Sequence, residues 1–477
     1  MKIFISVALV TIFGLCMLGA FVWLQLKPLE PAAVSPPATI EFRNATIIEP
    51  GIQTRPNQTL RIEKGLIVEI RDSSEAERII RPQFIMPGLI DMHVHQPLAF
   101  GGLPEYFALL YLRHGITAVR YTGHTGTGHE VENHGQRIAT GEIPGPQVFS
   151  CGPIIDGEPP LWPAAITLTS PDEAERTVET VKNQGASCIK VYTHMSPPVL
   201  TAIVNAARRH NLPVLGHVPN GIALEHSQID DVQHLIGLPD HHHLTDSQYP
   251  YNPMVDGWDT LSETRMRAVA DYSVQADVAH TPTLVFHWTN SHRDKHDELM
   301  TSTPTHLMPR FLTQAWRPQD NIRLGGQRTP ETQAAMRAAY RRALDVIRVL
   351  HNRGVRIHAG TDTGNPFLIP GAALIQEVNL FEQAGMSNEM ALASASIVPA
   401  KSLGMEYMVR EGTTANLLVL NRDPTKDLAA LDELDTVIAS GSAYSAEFLH
   451  SEIRRYQTQH SNFTWDTLLP FAVDLLR

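Results

Sequence analysis

The chain has 477 residues, a formal net charge of −12 and 43% apolar residues. This length accommodates a large domain and a smaller one, and the composition is that of a folded globular protein. The acidic balance, without a run of Lys or Arg, excludes nucleic acid as the main partner, because phosphate binding requires a basic face.

The N-terminal residues predict an exported protein. Residues 3–24 are uncharged and apolar, and as a helix they would extend about 33 Å, enough to cross a bilayer. Because no clear small-residue cleavage site follows, residues 1–26 are interpreted as an uncleaved signal anchor, with a cleaved signal peptide as the alternative. The protein would then be membrane-anchored on the extracytoplasmic side, or secreted. Residues 27–38 are rich in Pro and Ala, which predicts an extended linker.

Two β-rich segments flank the centre of the chain. Residues 39–85 contain short β-like runs separated by turn residues, and residues 405–445 contain "TTANLLVLN" and "DTVIASGSAY". We predict one small β-sandwich domain built from both flanks. Residues 446–477 are predicted to form helices that pack on the central domain, with contact to a membrane as the alternative.

The central residues 86–404 alternate short apolar runs with amphipathic helical stretches. Eight such repeats predict the α/β class and a (β/α)8 TIM barrel, whose active site lies at the C-terminal ends of the strands. The competing fold, an open doubly wound sheet, would require a Gly-rich phosphate turn that the sequence lacks. Residues from about 239 to 330 are long for a connection and rich in His, Trp and Tyr, so we interpret them as a lid insertion.

The stretch "IMPGLIDMHVHQ" places two histidines at the end of the first predicted barrel strand. His93 and His95 are two residues apart, so their side chains point to the same face of a strand, here into the barrel mouth. Four further polar residues end predicted strands 4, 5, 6 and 8, namely Lys190, His217, His234 and Asp362. A lysine among apolar residues cannot stay charged and unpaired at low cost. The six residues together predict a metal site.

The motifs "MPGLIDMHVH", "CIKVY", "VLGHV", "VQHLIG" and "AGTDTG" resemble those of the amidohydrolase superfamily, in its imidazolonepropionase-like and prolidase-like branch. This resemblance covers about residues 40–445. It implies two divalent metal ions, usually zinc, with His93, His95 and Asp362 at one ion and His217 and His234 at the other. Lys190 would be carboxylated by CO2 and bridge both ions, and Asp362 would also transfer protons.

The predicted function is therefore binuclear metal-dependent hydrolysis of a C–N bond in a small molecule, such as a dipeptide or an N-acyl amino acid. Alternatives are a cyclic-amide hydrolase or a deaminase of the same superfamily, although deaminases usually lack the bridging lysine. An alternative of another class is an inactive, membrane-anchored binding protein. Self-association into a homo-oligomer is left open.

Several other polar residues are candidates for weaker roles. Tyr192 and His194 follow Lys190, and Arg120 and Tyr121 end strand 2, so all four are candidate substrate contacts. The remaining histidines of interest are interpreted as a solvated loop or as core residues: His241, His242, His243, His280 and His358. Cys151 and Cys188 are predicted to be buried free thiols, because two distant cysteines do not indicate a disulfide framework.

Overall fold

The structure is a computed structural model. It describes residues 19–29, 32, 38–79, 83–97, 101–123, 129–239, 255–317, 329–406 and 408–475. Most of the predicted N-terminal anchor, most of the linker and the triplet His241 to His243 lie outside these ranges. Within the described ranges, no helix combines the length and the apolar character needed to span a membrane.

The strands of the described chain are short in the centre and longer in the N-terminal flank. In chain order they are β1 (Thr39–Glu49), β2 (Gln53–Glu63), β3 (Leu66–Asp72), β4 (Phe84–Pro87), β5 (Leu89–Val94), β6 (Ile116–Tyr121), β7 (Gln147–Ser150), β8 (Ile154–Asp156), β9 (Ile166–Thr167), β10 (Ile189–Val191), β11 (Val214–Gly216), β12 (Asp231–Gln233), β13 (Ala279–Thr281), β14 (Leu417–Leu420), β15 (Leu434–Ala439) and β16 (Ser442–Ser445).

Helices follow most of the central strands. In chain order they are α1 (residues 19–26), α2 (Leu103–Arg113), α3 (His129–Ala139), α4 (Ala174–Asn183), α5 (Pro197–Arg209), α6 (Leu224–Ser227), α7 (Glu263–Ala276), α8 (Leu284–Ser291), α9 (His296–Ser302), α10 (Arg310–Ala315), α11 (Pro330–Asn352), α12 (Ala372–Gln383), α13 (Asn388–Ser394), α14 (Ile397–Ser402), α15 (Ala446–Gln459) and α16 (Leu469–Leu475).

Both flanks contribute to one mixed sheet, with strand order β16-β15-β14-β4-β1-β2-β3. The two flanks are joined where β4 pairs with β14. The strands form one hydrogen-bonded sheet, in which β4 pairs on one side with β1 and on the other with β14. The two ends of this sheet meet, since Ile67 N donates to Thr413 O and Ala415 N donates to Gly65 O. The predicted two-layer packing stays a prediction. Register shifts in β1, β2 and β14 interrupt the ladder, and such irregularities bend and twist a sheet.

The centre is an α/β fold with parallel sheets, as predicted. One sheet has the order β5-β6-β7, and the other has the order β13-β12-β11-β10-β8-β9. Residues 356–363 connect them, since His358 N donates to His280 O in β13 while Met92 N in β5 donates to Ala359 O. At the opposite edge, Ser187 N donates to Ser150 O at the end of β7. The carboxyl ends of β5, β10, β11 and β12 are thereby brought to the same end of the domain.

The predicted lid region is partly a regular element of this fold. Residues 263–281 form α7 and β13, and β13 pairs with β12 in the parallel sheet. Helices α8, α9 and α10 then follow before α11. The described part of this region therefore supplies one of the barrel strands that the alternating pattern predicted, together with its helices.

A disulfide joins Cys151, directly after β7, to Cys188, directly before β10. The prediction of free thiols is wrong for this pair. The two residues are 37 positions apart in the chain, but the fold brings their Cα atoms to 4.3 Å. The bond links β7, at the edge of one parallel sheet, to β10 in the other, and a disulfide that closes a loop of this length typically stabilises a protein by about 2–4 kcal/mol.

Candidate metal centre

The side chains of His93, His95 and Asp362 meet at the carboxyl end of β5. His93 Nε2 lies 3.2 Å and His95 Nε2 lies 2.9 Å from Asp362 Oδ1. The possible ligand atoms of the three residues all lie within 4.8 Å of one another. His93 is fully buried, and neither of its ring nitrogens has a hydrogen-bond partner among the described residues. Two orphaned imidazole nitrogens in the interior are costly, and a bound cation would satisfy one of them.

Two further histidines adjoin this cluster. The ring centroid of His234 lies 4.5 Å from that of His93 and 5.2 Å from that of His217. Burial, together with neighbouring charge, holds the pKa of these three histidines well below the usual value. Their imidazoles are therefore neutral at neutral pH, which is the form that binds metal ions.

Lys190 lies in the middle of β10 and is only 1% exposed. Its Nζ donates a hydrogen bond to Gln233 Oε1 and lies 5.6 Å from the centre of the Tyr192 ring. Burial lowers the pKa of Lys190 from 10.5 to about 7, although the nearby Asp362 carboxylate acts in the opposite direction. A substantial fraction of the side chain is therefore an uncharged amine near neutral pH.

Two of the predicted metal ligands have a left-handed backbone. The φ angle is 64° at Asp362 and 58° at His234. Such angles cost residues other than glycine about 1–3 kcal/mol and are concentrated at functional sites. The close approach around Asp362 also explains Gly360 in the "AGTD" motif, since a Cβ there would lie 2.5 Å from Thr281 Cγ2 and 3.0 Å from His93 Cβ.

Asp91 holds together the backbone that carries His93 and Asp362, a role that its position in the sequence did not predict. Its carboxylate accepts hydrogen bonds from the backbone N–H groups of His93 and Thr361 and from the Thr361 hydroxyl. Burial raises the pKa of Asp91 to about 7. The carboxyl group thus joins β5 to residue 361, and it aligns the two segments that carry His93 and Asp362.

His217 and His234 each have a hydrogen-bonding threonine that was not predicted from the sequence. Thr193 Oγ1 lies 3.1 Å from His217 Nδ1, and Thr283 Oγ1 lies 2.8 Å from His234 Nδ1. His287 Nε2 also donates to the backbone carbonyl of His234. In both histidines a hydroxyl group is bonded to Nδ1, so Nε2 remains the nitrogen that would bind a metal ion. A threonine near a strand end is too common to be identified from one sequence.

Thr283 directly precedes α8, and His287 lies within it. Glu377 holds the start of this helix in place. The fully buried Glu377 carboxyl group accepts from Leu284 N at 2.9 Å and from Val285 N at 2.6 Å. Burial raises the pKa of Glu377 to about 8. Glu377 therefore acts on the position of His234 through the start of α8.

Replacing Thr283 with valine should weaken metal binding, because the His234 ring loses the partner that orients it. Outer partners of this kind are worth about 10–100-fold in metal affinity. Titration with zinc, with bound metal measured by elemental analysis, checks the change. Thr283→Ser keeps the hydroxyl and is the matched control, so equal affinities in the two variants would exclude an orienting role for Thr283.

Of the predicted substrate contacts, Tyr192 and His194 lie beside the clusters. The Tyr192 ring stacks on His217 with 4.0 Å between centroids, and its hydroxyl accepts from Trp162 Nε1. The His194 ring bonds the carbonyl of Pro159, and its backbone N–H donates to the buried Asp156. Both residues therefore help to hold the segment 156–162 beside the metal centre.

The structure gives Arg120 and Tyr121 interior positions in place of the predicted substrate contacts. The Arg120 guanidinium is buried and donates to Asp231, Met92 O and Thr281 Oγ1. Although burial raises the pKa of Asp231, the charge of Arg120 and the His358 hydrogen bond lower it further, so the carboxyl group is ionised. Tyr121 is buried as well. Arg120 on β6 and Asp231 on β12 therefore form an internal ion pair between the two parallel sheets. The apolar residues that flank Arg120 in the sequence do not indicate this partner.

The interpretation of His280 and His358 as core residues is confirmed. Both are buried, with His280 Nε2 bonded to Ser273 and His358 bonded to Asp231 and Ser402. Neither ring joins the cluster of His93, His95 and Asp362.

A comparison with protein families matches residues 84–443 to the amidohydrolase family. The chain belongs to the amidohydrolase family. It is therefore a hydrolase that acts on carbon–nitrogen bonds, and the resemblance noted from its motifs is confirmed. A search of curated proteins found no match.

Solved structures of similar fold include three enzymes of this kind, all with low sequence identity. A bottromycin amidohydrolase has a TM-score of 0.71 at 22% identity, with 89% of this chain and 91% of that chain covered. A Xaa-Pro dipeptidase with bound methionine has a TM-score of 0.63 at 17% identity, with coverage of 85% and 100%. A prolidase complexed with N-methylphosphonate-L-proline has a TM-score of 0.61 at 18% identity, with coverage of 85% and 99%.

Proposed function

We propose that this amidohydrolase is a binuclear metal-dependent hydrolase of small peptide-like amides, with dipeptides and N-acyl amino acids as the substrate class. The observation that carries the proposal is the cluster of His93, His95 and Asp362 beside a buried lysine and two further histidines. Neutral imidazoles and an ionised carboxylate are the ligands that zinc prefers.

Two groups of residues suit two ions. His93, His95 and Asp362 would hold one ion, and His217 and His234 would hold the other. Lys190 has the burial and the lowered pKa that carbamylation requires. Its uncharged amine would attack CO2, forming an N–C bond and releasing a proton, and the anionic product would offer one oxygen to each ion. Gln233, now bonded to Lys190 Nζ, would remain a neighbour of that product.

The chemistry needs an activated water and a protonated leaving group. When bound, the two ions supply Lewis acidity that lowers the pKa of water and polarises the scissile carbonyl. Although burial opposes it, the pKa of Asp362 is lowered, in part by the hydrogen bond from His95, so this carboxylate is ionised and is positioned to accept the proton as water attacks the carbonyl carbon. As the C–N bond breaks, Asp362 delivers that proton to the departing nitrogen.

The names of the similar structures and the residues beside the site support this substrate class. Two of those structures are named as acting on proline-containing dipeptides. Tyr192 and Trp162 form a polar and aromatic wall next to His217 in this chain. We propose this wall as the surface against which the substrate side chain or carboxylate rests.

We also propose that the parallel sheets close into a (β/α)8 barrel and that the enzyme works outside the cytoplasm, held by residues 1–26. The disulfide between Cys151 and Cys188 supports an oxidising compartment, because such bonds persist there and are rare in the cytosol. Mass spectrometry of protein alkylated before reduction tests the pair, and two alkylated cysteines would contradict this location.

Elemental analysis of protein produced with zinc and bicarbonate, followed by a substrate screen, tests the proposed function. We expect about two ions per chain, as in other two-metal sites, and hydrolysis of dipeptides or N-acyl amino acids. One ion with release of ammonia from a ring amine would favour a deaminase, and turnover of cyclic amides alone would favour a cyclic-amide hydrolase. A folded protein that binds no metal would overturn the proposal in favour of a binding protein.

A further inference from the structure

The N-terminal helix α1 is joined to the C-terminal tail by a specific set of hydrogen bonds. The Gln25 carbonyl accepts from Trp465 Nε1 and Asn462 Nδ2, and its side chain accepts from Thr464 N. Gln459 Nε2 donates to the carbonyl of Lys27. Trp465 itself is fully buried. The end of the apolar N-terminal segment is therefore part of the folded body at this point, and it leaves the protein beside the tail.

Large apolar side chains are exposed around this junction, which we call the terminal corner. It comprises α1, residues 459–468 and α16. Half of the large apolar residues that are exposed in the described chain lie here, each 45–65% exposed: Phe21, Trp23, Leu24, Phe463 and Phe471. Such a concentration is unusual for a surface that faces only water, and exposed apolar patches typically mark contacts with membranes or proteins.

We propose that the terminal corner rests on the surface of a lipid bilayer, with the Phe463 and Phe471 side chains inserted at the headgroup level. A bilayer is the occupant that continuity favours, because residues 19–24 of α1 are the end of the uncharged apolar segment 3–24. Aromatic residues are enriched at membrane interfaces, where an amphipathic surface buries its apolar face shallowly. The tail thus adds a second, C-terminal contact to the N-terminal one.

The terminal corner is connected to the end of the domain that carries the metal centre. His460 Nε2 donates to Gly101 O, and Gly101 precedes α2 in the connection that follows His95. The ring centroids of Trp465 and Phe311, which lies in α10, are 5.5 Å apart. Those of Trp316, directly after α10, and Phe367 are 5.2 Å apart. Phe367 follows Asp362 in the same connection.

The link between the terminal corner and the metal centre bears on the kind of substrate that reaches the enzyme. A corner that rests on a bilayer, and that is linked through α10 to the segment after Asp362, holds the site close to the membrane surface. Amphiphilic amides that partition into the bilayer would therefore reach the enzyme at a raised local concentration. This last step rests on the proposed function, whereas the lipid contact of Phe463 and Phe471 does not.

Spin labels on the full-length protein reconstituted into phosphatidylcholine vesicles test the contact. The labels are placed one at a time in Phe463→Cys and Phe471→Cys, in a Cys16→Ser background that keeps the Cys151–Cys188 disulfide. Val274→Cys is the matched control, because this apolar residue is 51% exposed and lies on α7, outside the terminal corner. Collision with oxygen, which concentrates in lipid, is compared with collision with a water-soluble nickel complex.

We expect a several-fold higher ratio of oxygen to nickel collisions at positions 463 and 471 than at position 274. Water-like values at both tail positions would overturn the proposal. Protection from both reagents, with dipolar broadening that grows with protein-to-lipid ratio, would identify a second copy of the chain as the occupant and also overturn it. The readout does not use turnover, so it is independent of whether the proposed hydrolytic activity is correct.

Discussion

Replacing Lys190 with alanine is expected to abolish most amidohydrolase activity and to reduce the metal content. The variant removes the amine that is 1% exposed at the centre of the site, and with it the group proposed to bridge the two ions. Changes to residues outside the ligand set cost about 10–100-fold in metal affinity or activity, so loss of a bridging ligand should exceed that range. Elemental analysis and turnover of the best substrate measure both effects.

Two controls separate this effect from a general loss of folding. Lys190→Met fills a similar volume without an amine, and it should lose metal while keeping a cooperative thermal transition. Lys182→Ala removes an exposed lysine whose Nζ bonds only the His210 carbonyl among the described residues, so activity and metal should be unchanged. If Lys190→Ala keeps about two ions and full turnover, the two-metal mechanism is wrong.

Asp362→Asn should retain much of the metal and lose the rate. Asparagine tolerates the left-handed φ of 64° at this position, so the backbone should be undisturbed. The amide cannot accept the proton of the attacking water or deliver it to the departing nitrogen. Loss of a general acid or base typically costs about 10²–10⁴-fold. Steady-state kinetics on an amide substrate, with metal content determined on the same sample, measures the loss.

The choice of substrate distinguishes the two proton transfers assigned to Asp362. An ester with a good leaving group needs no protonation of that group, so its hydrolysis should fall less in Asp362→Asn than hydrolysis of the matched amide. Equal losses on both substrates would restrict Asp362 to the activation of water. Normal turnover of the amide would remove Asp362 from the reaction altogether.

The sequence predicted the parts of the site that depend on local spacing. Alternation along β5 places His93 and His95 on one face, and each of Lys190, His217 and His234 lies in or directly after a short buried strand. Parallel strands end at the same edge of the fold, so residues at those ends were expected to converge. The family match to residues 84–443 agrees with the motifs from which the resemblance was inferred.

Other expectations failed where a residue has two plausible environments. Arg120, an arginine at the end of a strand, was predicted to bind a substrate carboxylate. It instead pairs with Asp231 inside the protein, because Asp231 lies opposite it on another strand. The two cysteines were assigned as thiols from their separation of 37 residues, whereas the approach of β7 to β10 brings them together.

The sequence by itself determined the family, the α/β class and the six residues of the candidate centre, because motifs and strand periodicity are local properties of the chain. Only the tertiary structure decided which partners those residues have: Gln233 for Lys190, Thr283 for His234 and Asp91 for the backbone around His93. Hydrogen bonds between distant segments depend on how strands and helices pack, and a single sequence carries no direct record of that packing.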